Sequence, residues 1–411
     1  MQRLNIEGAA DVLKKVVFKT PLQYHAKLSQ RFGAEVYLKR EDLQVVRSYK
    51  LRGAYNLIQS LSNEERAKGV VCASAGNHAQ GVAFSCKQLG IKGVIFMPAI
   101  TPKQKINQVN MFGGDAIQTI LVGDTFDECQ AHALAYTREH HAVFIPPFDH
   151  IKIIEGQGTV GKEILDEVSD IDYVFLPIGG GGLCAGVGNY IKTKSPETNL
   201  IGVEPLGAPS MTEALHIGKP VMLEHIQRFV DGAAVKKVGD LTFSLSKDML
   251  TDMLLVDEGK VCTTILQLYN EDAIVAEPAG ALSIAALDQY ADKLRGKKVV
   301  CIVSGGNNDI DRMQEIKERS LLYEGLKHYF ILRFAQRPGA LKHFVNEVLG
   351  PNDDIVRFEF IKKTNKESGP ALIGIEVKSR ADFEALTKRM DQFQLNYTLV
   401  NQDENLFEYL V

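Results

Sequence analysis

At 411 residues, 45% apolar and 24% charged, the chain has an ordinary globular composition and room for two or three domains. Its 47 basic and 51 acidic side chains give a net charge of −4 with no long block of either sign, which argues against a nucleic acid or membrane partner and for a small molecule. Residues 1–11 lack the apolar core of a secretory signal, and six scattered cysteines show no C-x-x-C spacing, so a cytoplasmic protein with buried thiols is expected, without disulfides or zinc.

The first β-rich run, 36–38, precedes Ser48-Tyr49-Lys50-Leu51-Arg52-Gly53-Ala54, at the mouth of a helix predicted over 52–61. Lys50 has no acidic neighbour within six residues and is flanked by Arg47 and Arg52, whose charges are expected to lower its pKa. A lysine is ordinarily a solvated surface charge; one held neutral here is a candidate Schiff-base former. The next strand, 70–73, runs into Ser74-Ala75-Gly76-Asn77-His78-Ala79-Gln80-Gly81 and a helix over 80–89. The Ser74 hydroxyl and the N–H groups of that turn suit a substrate carboxylate, and the Asn77 amide suits a phenolic oxygen. His78 reads as a packed or capping residue.

Strands at 93–97, 117–121 and 143–145 alternate with helices at 102–111, 126–139 and 158–167, the pattern of parallel βαβ units covered on both faces. The strand 173–178 ends in Gly179, Gly180, Gly181 and Gly182, followed by a helix opening at Leu183. Residues 173–191 carry no charge, but Pro177 and the four glycines forbid a continuous membrane helix. Bare N–H groups at a helix start make a phosphate cradle, against the plainer reading of a tight strand-to-helix turn. Gly180, Gly182 and Ala185 also satisfy G-x-G-x-x-A, with Glu204 after the strand 200–203 where a ribose-binding acid would stand. That dinucleotide reading leaves Lys50, Asn77 and Ser304 without roles.

A helix at 259–270 leads to the strand 299–303 and Ser304-Gly305-Gly306-Asn307. The Ser304 hydroxyl can bond a pyridine nitrogen but cannot hold it protonated as a carboxylate would, which favours elimination over transamination. Lysine, phosphate cradle and hydroxyl together indicate pyridoxal phosphate. After Asp309 a charged, glycine-free helix marks a domain boundary. The tail from Gly325 reads β-α-β-β-α-β: a strand at 329–334, a helix from Pro338 to Leu349, strands at 355–361 and 371–377 about a turn at 365–369, a helix at 380–393, and closing strands at 397–400 and 406–410.

The four motifs, in this order and spacing over residues 20–308, resemble those of the threonine dehydratases, fold-type II enzymes of the tryptophan-synthase-β-like group. The resemblance implies an α/β catalytic domain over 1–320, built of two open subdomains with the smaller, about 41–140, inserted in the larger. An α+β ferredoxin-like (ACT-like) regulatory domain over 325–411 is implied too, with Arg337-Pro338-Gly339-Ala340-Leu341 at its first turn, as in the shorter biosynthetic forms. It implies Lys50 as the cofactor lysine and α-proton base, Asn77 at the ring oxygen, Gly179 to Gly182 with Leu183 at the phosphate, and Ser304 at the ring nitrogen. Ser74, Ala75, Gly76 and Asn77 would hold the substrate, and Glu277-Pro278-Ala279-Gly280-Ala281 would line the site. The implied activity is deamination of L-threonine to 2-oxobutanoate and ammonia, the first step of isoleucine biosynthesis, with L-serine a poorer substrate. Isoleucine, with valine as a second candidate, would act as effector on a homotetramer. Serine racemases resemble this region too, but their second base is a serine where this chain has Ala75, and Ser210 stands where their divalent-metal site needs a carboxylate, so no metal is expected.

Overall fold

The computed structural model describes residues 4–362, 366–403, 405, 406 and 409. The chain divides into two compact units, Met1–Asp311 and Arg312–Val411.

The first unit holds two sheets. The larger runs in the order Leu22–Tyr24, Glu35–Arg40, Lys298–Val303, Tyr173–Pro177, Asn199–Pro205 and Asp252–Val256, antiparallel only at the first pair. Its central strands are nearly continuous apolar runs because both faces are covered: every residue from Val299 to Val303 is fully buried. Burying each such side chain contributes about 1.5–3 kcal/mol before chain entropy is counted. The smaller, all-parallel sheet, Ile117–Leu121, Gly93–Met97, Val70–Ala73 and Val143–Phe144, is built from chain lying between Glu35–Arg40 and Tyr173–Pro177 of the larger. Parallel sheets gather ligands at the carboxyl ends of their strands, and Ser74, Ile178 and Ser304 all follow strand ends.

Three helices set the spacing of the site: Lys50–Ser60, Ile151–Glu167 and Gly182–Lys194. A Cβ on Gly156 would lie 2.5 Å from the Arg52 carbonyl, and one on Gly186 would lie 2.3 Å from the Ile154 carbonyl and 2.6 Å from the Gly158 nitrogen. The middle helix therefore presses its backbone against both neighbours. It begins seven residues earlier than the expected start at Gly158, because glycines that look like helix breakers are here the points of closest packing. Edge strands Leu22–Tyr24 and Asp252–Val256 escaped the sequence reading; they are short or only partly buried and lack a clean alternation.

The second unit opens with the helix Met313–Glu324 and carries an antiparallel sheet in the order Asp354–Phe360, Ser368–Glu376, Lys327–Ala335 and Tyr397–Leu399. The helix Arg380–Gln392 packs Leu386 and Met390 onto Phe330, Ile373 and Ile375 in a core of its own. This is the α+β ferredoxin-like order. Pro338 does not open a helix: a turn through Gly339, at φ +88°, delays it to Ala340–His343, and Phe344–Val348 continues as a wider turn. Of the closing strand expected at 406–410, residues 407, 408 and 410 lie outside the described residues, and Leu406 and Tyr409 are helical. Asn365 of the expected turn likewise lies outside them, and Gly369 belongs to a strand.

Candidate active site

Lys50 is the first residue of its helix, and its turn is stitched to the turn of Ser304. The Tyr49 N–H donates to the Ser304 carbonyl at 3.2 Å, and Ser48 forms a β-bridge with Gly305. The Lys50 Nζ donates to the Pro147 carbonyl at 3.0 Å. Burial pushes its pKa down to about 8, opposed by the charge of Glu277. The flanking arginines are not the cause: Arg52 is fully buried and spent on Glu41 and Glu163, at 2.6–2.9 Å, leaving little net field.

The strap that carries Pro147 also supports the glycine turn. Phe148 lies against Gly180 so closely that a Cβ there would sit 2.1 Å from the ring, and Gly181 holds φ +89°, which favours glycine. The Gly180 carbonyl accepts from Thr242 Oγ1 at 2.6 Å, while Asp149 accepts the N–H groups of Asp240, Leu241 and Thr242, each at 3.0 Å. None of the N–H groups of residues 179–184 donates to a backbone acceptor among the described residues, and no side chain caps the helix Gly182–Lys194. Four of those donors, Gly181 to Cys184, are the ordinary orphans of a helix start; the glycine turn adds Gly179 and Gly180. Leu183 buries its side chain in the core, so only its N–H is offered.

The helix Asn77–Leu89 repeats the arrangement. It has no side-chain cap, and the N–H groups of Ala75, Asn77, His78 and Ala79 have no backbone acceptor among the described residues. The Ser74 hydroxyl accepts from the Gly76 N–H at 3.2 Å, and a Cβ on Gly76 would meet nothing within 4 Å, so space opens at this turn. His78 bonds the Ile145 carbonyl at 2.9 Å, and burial followed by the Lys50 charge drives its pKa down to about 3, which leaves it neutral and structural.

Sequence reasoning gave Glu277 no individual role. Its carboxylate accepts from Asn77 Nδ2 at 2.6 Å and sits where a Cβ on Gly305 would be 2.3 Å away. Burial first, then Asp231, raises its pKa to about 7. The available signal was a single acid in the apolar run 274–282. Glu204, weighed as a ribose ligand, is fully buried and instead accepts from Ser210 Oγ, Met211 N, Thr212 N and Thr212 Oγ1 at the start of the helix Ser210–Ile217. That removes the dinucleotide reading.

The donor set fits pyridoxal phosphate. Two uncapped helix starts suit a dianion and a carboxylate, and a lysine of lowered pKa suits an aldehyde. The buried Ser304 hydroxyl has no side-chain hydrogen bond within the chain among the described residues.

Comparison with known proteins agrees. Residues 13–305 match the family described as pyridoxal-phosphate dependent enzymes, and residues 318–410 match the C-terminal regulatory domain of threonine dehydratase. The biosynthetic L-threonine dehydratase IlvA of Halalkalibacterium halodurans is 57% identical over 415 aligned positions, covering 100% of both chains. That of Bacillus subtilis is 57% identical over 412, covering 100% of this chain and 98% of its own. Among solved structures, the processed form of threonine deaminase isoform 2 from Solanum lycopersicum superposes with a TM-score of 0.73 at 43% identity, over 77% of this chain and 88% of that one. Maize serine racemase gives 0.71 at 31%, over 78% and 98%.

Proposed function

Since the chain belongs to the pyridoxal-phosphate-dependent enzymes, and among them to the biosynthetic threonine dehydratases, we propose that the four turns around Lys50 are where it deaminates L-threonine. The net reaction gives 2-oxobutanoate and ammonia; water lost with the β-hydroxyl is regained when the released enamine hydrolyses. Pyridoxal phosphate supplies an aldehyde for amines and a ring that accepts the electron pair left at the α-carbon.

The residues of the chain do the rest. Lys50 Nζ would hold the cofactor covalently and, once displaced by the substrate amine, hold the α-proton. The N–H groups of Gly179, Gly180, Gly181, Gly182 and Leu183 would bind phosphate at a positive helix end. Asn77 would donate to the ring oxygen. Ser304, neutral, would leave the ring nitrogen unprotonated, which suits elimination. The Ser74 hydroxyl and the N–H groups of Ala75 and Asn77 would hold the substrate carboxylate in the space left open at Gly76, and Ala75 offers no second base for racemisation. L-Serine fits as a poorer substrate, since a missing methyl costs only about 1–3 kcal/mol.

The regulatory domain answers to effectors, and a cavity of about 380 Å³ at its first turn is our candidate for their site. Arg333 and Arg337 offer charge beside His343, Phe334 and Phe344, a lining suited to a branched apolar amino acid such as isoleucine or valine. No described helix is long and apolar enough to cross a membrane. Resemblance favours a cytoplasmic tetramer.

The observation that carries this reading is the joining of the Lys50 and Ser304 turns beside a buried carboxylate and two uncapped helix starts. Its test is 2-oxobutanoate release from L-threonine, with the visible spectrum, for the parent and Lys50→Ala. The parent should absorb at about 410–420 nm and turn over. The variant should do neither while melting as cooperatively as the parent. A band that borohydride fixes onto another lysine would overturn the assignment.

A further inference from the structure

The side chain of Asn77 has two anchors, and both set the same polarity. On one side Glu277, a carboxylate, accepts from Asn77 Nδ2 at 2.6 Å. On the other, Asn77 Oδ1 accepts from Asn307 Nδ2 at 2.6 Å, and that amide is itself oriented because Nδ2 donates to the Val46 carbonyl at 2.9 Å. Asn307 Nδ2 also lies 2.9 Å from Gln80 Oε1, so its two hydrogens are shared among three acceptors. The main-chain carbonyl of Val46, acting through Asn307, fixes the assignment of nitrogen and oxygen at Asn77, and the Glu277 carboxylate matches it. One Asn77 N–H is consumed by Glu277. The second has no acceptor in the chain among the described residues.

Glu277 is itself held. It is 5% exposed, lies against Gly305, and takes a further bond from the Asn307 N–H. Lys105 and Asp231, a pair at 2.6 Å, are the other charges facing it besides Lys50. A buried carboxylate is costly unless its lone pairs are used, and the amide of Asn77 uses one of them.

We propose that Glu277 is a positioning residue: by accepting one Asn77 N–H while Asn307 fills the amide oxygen, it fixes the amide so that the remaining N–H is presented to the cofactor's ring oxygen. This rests on the reading that Asn77 faces that oxygen. Glu277 acts as an acceptor, so a carboxamide in its place retains the function and a methyl group does not.

The test uses the holoenzyme and reads the pH midpoint of the visible cofactor band, which a hydrogen bond to the ring oxygen displaces and a loss of general stability does not. Asn77→Ala and Glu277→Ala should each move the midpoint in the same direction by about one unit or more. The double variant should move it no further than Asn77→Ala alone, and Glu277→Gln should stay close to the parent. Should Glu277→Ala fail to fold, Glu277→Gln in the parent and in Asn77→Ala completes a cycle on the same readout, with no additional shift in either background. Three results overturn the proposal. A parent-like midpoint in Glu277→Ala, or additive shifts, would mean that Glu277 does not act through Asn77. A midpoint in Glu277→Gln displaced as far as in Glu277→Ala would make charge, rather than acceptor geometry, the agent. A parent-like midpoint in Asn77→Ala would remove the reading of Asn77 and the proposal with it, while leaving the Lys50 assignment to its own test.

Discussion

Lys50 loses its water on entering the fold, and its pKa falls from 10.5 to about 8. Only the neutral amine attacks an aldehyde, so capture of pyridoxal phosphate by the apoprotein should quicken about fivefold between pH 7 and pH 8 and level off above, as the neutral fraction does. Stopped-flow mixing at several pH values reads this directly; a rate that keeps climbing past pH 10 would mean an unperturbed lysine. The sign for stability follows from the same shift. Between about 8 and 10.5 the unfolded chain binds more protons than the native one, so the contribution of Lys50 rises with pH across that window. Lys50, Asn77 and Ser304 were legible in the sequence because each sits in a short turn where a polar residue interrupts an apolar pattern. The cause of the lysine's low pKa was not, since burial belongs to the tertiary structure and the suspected Arg52 is cancelled by Glu41, eleven residues away, and by Glu163.

Helix packing transmits position to the site. Gly156→Ala would place a methyl 2.5 Å from the Arg52 carbonyl and 2.7 Å from the Gly53 Cα, both backbone atoms that cannot rotate away. The helix Lys50–Ser60 must then shift, at a cost of about 1–3 kcal/mol, and kcat should fall with it. Unchanged denaturant midpoint and kcat together would show that the contact gives way freely. Arg52 is the second tie. Thr20, Lys39, Glu41, Arg52 and Glu163 form a buried network, with Lys39 and Arg52 both bonded to Glu163. Arg52→Met leaves two carboxylates without their main partner and should cost about 3–5 kcal/mol, read as a lowered denaturant midpoint with a matching slope. A loss below about 1 kcal/mol would mean that the remaining members satisfy each other. At this scale the sequence conveys the alternation of strands and helices, but not which glycines are breakers. Gly156 and Gly158 interrupt the apolar periodicity of a helix they in fact make possible.

Across the whole chain, every residue assigned to chemistry lies within Met1–Asp311, and the unit Arg312–Val411 has its own apolar core. In the sequence, the charged, glycine-free stretch after Asp309 is the signal for a boundary there. The terminal helical residues were not legible, because Leu406 and Tyr409 sit in a stretch whose alternation reads as a strand. Control by an effector requires different affinity for two states of the enzyme, and the coupling is ordinarily about 1–3 kcal/mol. The measurement that bears most directly on the account is therefore L-threonine deamination by the full chain and by a chain ending at Asp311, each with and without L-isoleucine. The full chain should be inhibited, with apparent threonine affinity shifted about 5- to 150-fold, and the shortened chain should still release 2-oxobutanoate while ignoring isoleucine. An isoleucine response undiminished in the soluble shortened chain, or no threonine turnover in the full chain loaded with pyridoxal phosphate, would contradict the account.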